Sequence, residues 1–385
     1  MRLILAAIPI TIMALALPAP GDGVAVSRAE AALADLTRAF WVGGPADGHL
    51  RMDAHADGRE IGAWEQAQAV AAYYGAWKYL GDRAAGQKVA AEWFWIKRRA
   101  PTSADLATCA AGARFNFASD DTGWDVGMYL QAYDVTHDLA ALTAAKASLD
   151  CAWRTWWDTA LGGGYWYNSE HTAKTIYQAV LALDCEWVFR LTRAKEYQDR
   201  AIATENWTTA RLGRSDGLYW KSIDSEGRVP AERVRYLINP TQSVTMIVGN
   251  MAQAVVQMWL SQDTGQAIYA QRATATAAGI RTYETDKAGV LINDQDGYTD
   301  GWAMVPFAHE VVAKLALAER DSWTATLRTS AAAVWQFDRH ADGTFGSDWG
   351  GPLEGGPWAR KGDVPPSKIS VSGGAANVIV AGAIP

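Results

Sequence analysis

The feature that most constrains this chain is a helical period running from end to end, broken by connections that alternate between very short and long. Apolar residues return every three to four positions over segments 26–41, 60–80, 82–99, 121–138, 141–159, 170–192, 195–211, 240–262, 264–283, 299–318, 320–338 and 368–384. Few stretches alternate apolar and polar residues for long enough to make a strand. Short links stand at Tyr79-Leu80-Gly81-Asp82, Tyr133 to Asp138, Leu191-Thr192-Arg193, Gln262-Asp263-Thr264-Gly265 and Ala318-Glu319-Arg320-Asp321. A link this short forces its two helices into an antiparallel hairpin. The remaining connections, 42–59, 100–120, 160–169, 212–239, 284–298 and 339–367, are long and rich in Gly, Asp, Trp and Tyr.

Taken in pairs from the N-terminus, the second helix is nearly free of charge, as Met246 to Leu260 and Ala375 to Ile384 show. A helix apolar on every side must be buried. The pattern predicts an all-α (α/α)6 toroid of six helical hairpins, with one helix of each pair lining the ring and the other wrapping it. No linker or shift in composition marks a second domain, so residues 20–385 read as one. Function is expected where the long loops meet the N-termini of the inner helices.

Residues 1–19 read as an export signal, with Arg2 ahead of the apolar run Leu3 to Leu17 and a small-x-small site at Ala14-Leu15-Ala16. That run is short for a membrane span, and no other stretch is long and apolar enough. A secreted, periplasmic or cell-surface chain with no span in its mature form is expected. Two of Cys109, Cys151 and Cys185 can pair in that compartment and leave one free. The net charge of -7 argues against a nucleic-acid partner. The cysteines and histidines match no metal-site spacing, so neither metal nor cofactor is expected. The 19 tryptophans exceed what an ordinary core needs. Most fill gaps between helices, and a few are free to stack on the C–H faces of sugars.

The chemistry concentrates in Phe117-Ala118-Ser119-Asp120-Asp121-Thr122-Gly123-Trp124, at the mouth end of an inner helix. Ser119 or Asp120 can serve as an N-cap, and an acid in the first turn suits the helix dipole. Two neighbouring carboxylates also suit glycosidic cleavage with retention, which needs carboxyl groups ~5–5.5 Å apart as nucleophile and acid/base. Close acids push their pKa values apart and keep one protonated. A second element, Leu161-Gly162-Gly163-Gly164-Tyr165-Trp166-Tyr167-Asn168, offers backbone freedom for close approach of a ligand, followed by a stacking platform. Trp64, Glu65 and Gln66 begin one inner helix, Asp300 and Trp302 another, and His171 with Lys174 a third.

Asp120-Asp121-x-x-Trp124 with Tyr133-Asp134-Val135-Thr136, and the Gly162-Gly163-Gly164-Tyr165-Trp166 loop, resemble glycoside hydrolase family 76, the endo-α-1,6-mannanases. Phe189-Arg190-Leu191-Thr192 and Asp216-Gly217-Leu218 resemble the family as well. The resemblance implies an (α/α)6 fold and a retaining mechanism, with Asp120 as nucleophile and Asp121 as general acid/base. The chain departs from the family at Lys174-Thr175-Ile176-Tyr177-Gln178, at Thr241-Gln242-Ser243, which keeps only Gln242, and at Asp300-Gly301-Trp302. These departures bear on subsite contacts more than on the reaction.

The sequence therefore reads as a secreted glycoside hydrolase acting on an α-linked oligo- or polysaccharide, with α-1,6-mannan the substrate the resemblance implies. Asp120 and Asp121 are the expected catalytic pair. Trp64, Trp124, Tyr165, Trp166, Asn168, Lys174, Gln242, Asp300 and Trp302 are the expected substrate contacts. A monomer is expected. Two other readings keep the fold: a sugar 2-epimerase using His171 and His309 as acid and base, and a glycan-binding protein that does not cut.

Overall fold

The computed structural model describes residues 23–44, 47–54, 63–98, 118–229, 246–292, 301–346, 349 and 368–384. The signal-like segment 1–19, Cys109, Gln242 and Asp300 lie outside them. Twelve α-helices are present among the described residues: α1 (Gly23–Phe40), α2 (Ala63–Gly75), α3 (Arg83–Lys97), α4 (Ser119–Thr136), α5 (Leu139–Trp156), α6 (Gln178–Thr192), α7 (Lys195–Leu212), α8 (Ile247–Thr264), α9 (Ala267–Tyr283), α10 (Met304–Glu310), α11 (Leu317–Ala333) and α12 (Ile369–Ala383).

Four of the short links close on a residue in the left-handed conformation, the usual way to end a helix and turn back. These are Gly81 (φ 76°), His137 (φ 55°), Arg193 (φ 61°) and Gly265 (φ 71°). Asp82 and Asp138 then cap the following helices, accepting from the Ala84 and Ala140 amides at 2.9 and 3.0 Å. The fifth link differs from expectation. Ala318 to Asp321 lie in the first turn of α11, and the chain reverses earlier, through a 3-10 turn at Val312–Lys314. The segment read as a helix over 170–192 also begins late. Residues Ala173–Thr175 (β1) pair antiparallel with Ser222–Asp224 (β2), and α6 starts only at Gln178.

The even-numbered helices form the inner ring. Each packs on the next, and α12 closes back on α2; the odd-numbered helices wrap the outside. This is an (α/α)6 toroid. All residues of α12 are buried, as are Ile247 to Leu260 of α8, which is why these stretches carry no charge. Among the described residues, no helix is long and apolar enough to cross a membrane. Cys185 is a free buried thiol, and Cys151 is disulfide-bonded.

Five connections after outer helices repeat one device. The chain leaves the helix, turns, and pairs back on it by an antiparallel bridge: Trp41 with Leu50, Trp157 with Tyr165, Gly213 with Tyr219, Thr285 with Leu291, and Arg339 with Phe345. The next residue then donates to the helix end: Arg51 to Phe40, Trp166 to Trp156, Trp220 to Leu212, Ile292 to Glu284 and Gly346 to Asp338, all at 2.8–2.9 Å. The inward amide of each bridge finds a buried side-chain acceptor in turn: Glu92, Gln178, Asn250, Ser330 and Ser372. Buried amides need such partners, so these polar residues belong to the fold.

At the short-link end the ring is plugged by aromatic side chains. Tyr74, Trp187 and Trp259 meet at 5.8 and 6.1 Å between ring centres, and the Arg190 guanidinium lies 4.5 Å over Trp259.

Candidate active site

The opposite end of the ring gathers the N-termini of the inner helices, and α4 brings Asp120 and Asp121 there. Neither carboxylate is the cap. Ala118 is the N-cap, with extended backbone (φ -149°, ψ 154°) and no side chain to cap with. The Ser119 amide is instead satisfied by the Tyr167 carbonyl, at 2.8 Å. Both acids thus stand in the first turn, where the helix dipole favours negative charge. Asp120 is 8% exposed and Asp121 is half-buried.

Glu65 occupies the corresponding first turn of α2, the inner helix packed against α4. Burial, and then the charge of Glu65, raise the Asp121 carboxyl from 3.8 to about 6. A carboxyl in that range can hold a proton for a leaving group near neutral pH and give it up once the group departs. In the sequence Glu65 is simply an acid at a helix start. Its effect on Asp121 depends on the packing of α2 against α4, which no local pattern reveals.

Beneath the pair, Trp124 and Trp302 meet edge to face at 5.4 Å, and Tyr177 sets its edge against Trp124 at 6.2 Å. Trp124 is 1% and Trp302 2% exposed. Gly127 is glycine because a Cβ there would stand 2.6 Å from the Trp302 ring. The two indoles form a packed floor. The Trp302 amide is also tied to the Gln68 side chain at 3.0 Å. Trp64 is half-buried in the first turn of α2, next to Glu65.

The glycine loop is organised inwards rather than towards a ligand. Gly162, Gly163 and Gly164 all have positive φ (83°, 119° and 88°). A Cβ on Gly164 would lie 2.6 Å from Trp207, and one on Gly163 3.2 Å from Trp157. The close approach that Gly163 and Gly164 permit is to tryptophans of the protein. Tyr165 is buried edge-on against Trp153 and Trp157. Trp166 is 4% exposed, stacks on His171 at 4.9 Å, and donates its indole N–H to Asp158. Lys174 lies in β1 with a fully buried side chain. Its ammonium donates to Asp158 Oδ1 and to the carbonyls of Ala160, Gly163 and Gly164 at 2.6–3.0 Å. Asn168 is half-buried, its Oδ1 accepting from Thr172. Tyr165, Trp166 and Lys174 therefore support the loop from within, and the loop reaches the Asp pair through the Tyr167 carbonyl.

His171 and His309 do not meet. His171 sits in a left-handed turn of the loop (φ 54°), whereas His309 stacks on Tyr79 at 4.2 Å at the short-link end. Among the described residues, no group of three His, Cys, Asp or Glu side chains is placed to hold a metal ion.

Neither a protein-family model nor a curated protein matches the sequence. Solved structures do match the fold. An α-1,6-mannanase of glycoside hydrolase family 76 from Salegentibacter sp. superposes with a TM-score of 0.73 at 17% identity, over 93% of this chain and 99% of that one. A protein from Listeria innocua gives 0.70 at 17% identity, over 93% and 97%. A family 76 mannosidase from Bacteroides thetaiotaomicron gives 0.68 at 15% identity, over 94% and 98%. An inactive variant of the Salegentibacter enzyme, with two consecutive aspartates replaced by asparagine, is solved in complex with α-1,6-mannotriose. The chain thus shares its (α/α)6 fold with these solved structures of family 76 glycoside hydrolases.

Proposed function

We propose that the chain is a divergent family 76 glycoside hydrolase that cleaves an α-linked glycan, α-1,6-mannan first among them, with retention. The observation that carries this reading is the acid pair: Asp120 and Asp121 side by side in the first turn of an inner helix, with burial and Glu65 raising Asp121 to about 6. Asp120 attacks the anomeric carbon while Asp121 protonates the departing oxygen. Asp121, now a carboxylate, takes a proton from water as that water releases the sugar from Asp120. The consecutive aspartates replaced in the inactive Salegentibacter variant support the assignment. Trp64, Asn168, Gln242 and Asp300 are the proposed contacts to flanking sugars, and export of the mature chain suits a polymeric substrate. The separation of His171 from His309 argues against an acid/base histidine pair.

The test is digestion of α-1,6-mannan by the purified protein, with chromatography of the products beside an Asp120→Asn variant. Oligosaccharides from the wild type, and none from a variant with an unchanged circular dichroism spectrum, are expected. Comparable turnover by folded Asp120→Asn would rule out its role as nucleophile. Retention of glycan by a wild type that releases no product would favour the binding-protein reading.

A further inference from the structure

We infer that Lys174 is a positioning residue for the acid pair, acting through the glycine loop rather than by touching sugar. The inference rests on the hydrolase reading for its kinetic consequence only. The geometry behind it is separate.

The turn between Trp157 and Tyr165 is one copy of the device that follows five outer helices. Three other copies contain an Asx turn: Asp216 and Asp342, near the closing end, accept from the Leu218 and Thr344 amides, and Asp286, directly after the bridge residue Thr285, accepts from Ala288 and Val290. Asp158 begins this copy in the same manner, accepting from the Ala160 amide at 2.8 Å. The chain then runs longer, through Leu161 and three glycines. Their positive φ angles bring the carbonyls of Ala160, Gly163 and Gly164 round to one point. Three carbonyl dipoles aimed at one place repel each other unless a cation sits there. The Lys174 ammonium sits there, neutralised by Asp158 and lying 4.5 Å from the Trp166 ring centre.

What the clasp holds leads to the site. Beyond Trp166, Tyr167 donates its amide to the Ala173 carbonyl at 2.8 Å, next to Lys174. It gives its own carbonyl to the Ser119 amide at 2.8 Å. Ser119 is the first residue of α4, and Asp120 and Asp121 are the next two. The Tyr167 carbonyl is thus the external cap of the helix turn that aims both carboxylates. A side chain that fixes this carbonyl acts on the carboxylates without contacting them.

The test compares wild type with Lys174→Met, which keeps the length of the side chain and removes the charge, and with Asp158→Asn, which weakens the clasp from its exposed side. Hydrogen exchange at the Ser119 amide is read first, without substrate. Faster exchange there in Lys174→Met than at α8 amides is expected, with a smaller effect in Asp158→Asn. On the glycan that the wild type cleaves, kcat is expected to fall by roughly 100-fold in Lys174→Met, the scale of an ångström-level misplacement of reacting groups, with KM little changed. Unaltered exchange at Ser119 in the folded variants overturns the inference, and so does a raised KM with kcat intact, which would make Lys174 a substrate contact. Should Lys174→Met fail to fold, Asp158→Asn decides by the same two readouts. A wild type that cleaves no glycan defeats the hydrolase reading and leaves the exchange experiment to judge the clasp.

Discussion

Removing the charge of Glu65 tests whether packing tunes the acid. Asp121 stands at about 6 instead of 3.8, with burial the larger cause and Glu65 the smaller. Glu65 therefore accounts for less than half of that gap, so Glu65→Gln should lower the Asp121 value by no more than about one pH unit. The direction follows from charge: with a negative neighbour gone, Asp121 ionises more readily. A general acid must be protonated to work, so the alkaline limb of kcat/KM in the wild type should fall near pH 6 and move to lower pH in the variant. At pH 7, the protonated fraction would drop from about a tenth to about a hundredth, a loss of up to roughly tenfold, while rates well below the limb stay close to wild type. Stability should move the opposite way. A carboxyl raised by folding holds its proton in the native state after the unfolded chain has lost it. The wild type therefore loses stability as pH rises from about 4 to about 6, and Glu65→Gln should lose less. The assay is a pH series of initial rates with matched thermal melts. A limb that stays in place, or moves to higher pH, would refute the argument.

Two further substitutions separate packing from binding. Gly164→Ala places a side chain on a backbone with φ 88° and 2.6 Å from Trp207. It should destabilise by about 1–3 kcal/mol, read as a lower melting midpoint at a fixed scan rate. Trp302→Ala empties the floor beneath the Asp pair and should cost roughly 3–5 kcal/mol. If Trp302 instead contacts sugar directly, the variant will keep its melting midpoint and raise KM.

The ring was legible because it obeys one repeated rule. A left-handed residue followed by a capping acid recurs at Gly81 with Asp82 and at His137 with Asp138. Such signals are local and survive without knowledge of the fold. The end of α6 was legible in the same way, but its start was not. Residues 170–177 carry an apolar spacing compatible with a helix, and only the distant partner Ser222–Asp224 draws 173–175 into a strand. The Asp pair was legible as a pair, whereas its electrostatics required a second helix. The glycine loop reads in the sequence as room for close approach of a ligand, whereas in the structure something within the protein fills that room. That something is Trp207 and the Lys174 ammonium, both brought in by tertiary packing. The same turn recurs at 213–219, 285–291 and 339–345, where the letters common to all three are only the positive-φ glycines Gly217, Gly289 and Gly343, so most of the shared shape lies in the hydrogen bonds.

That recurrence bears on how such a site can change its substrate. The two carboxylates stand on an inner helix, above a floor of two interlocked indoles and under an external cap from a clasped loop. The indoles and the Lys174 side chain that clasps the loop are buried, so a change in any of them disturbs packing as well as chemistry. Side chains that project from the long connections have no such constraint, because the bridge and its buried acceptor already close each turn through the main chain. A ring built this way can replace its sugar contacts one connection at a time while the acid pair keeps its geometry. Selectivity among α-linked glycans should therefore follow the connections, and the requirement for Asp120 and Asp121 should stay the same on every glycan the protein cleaves.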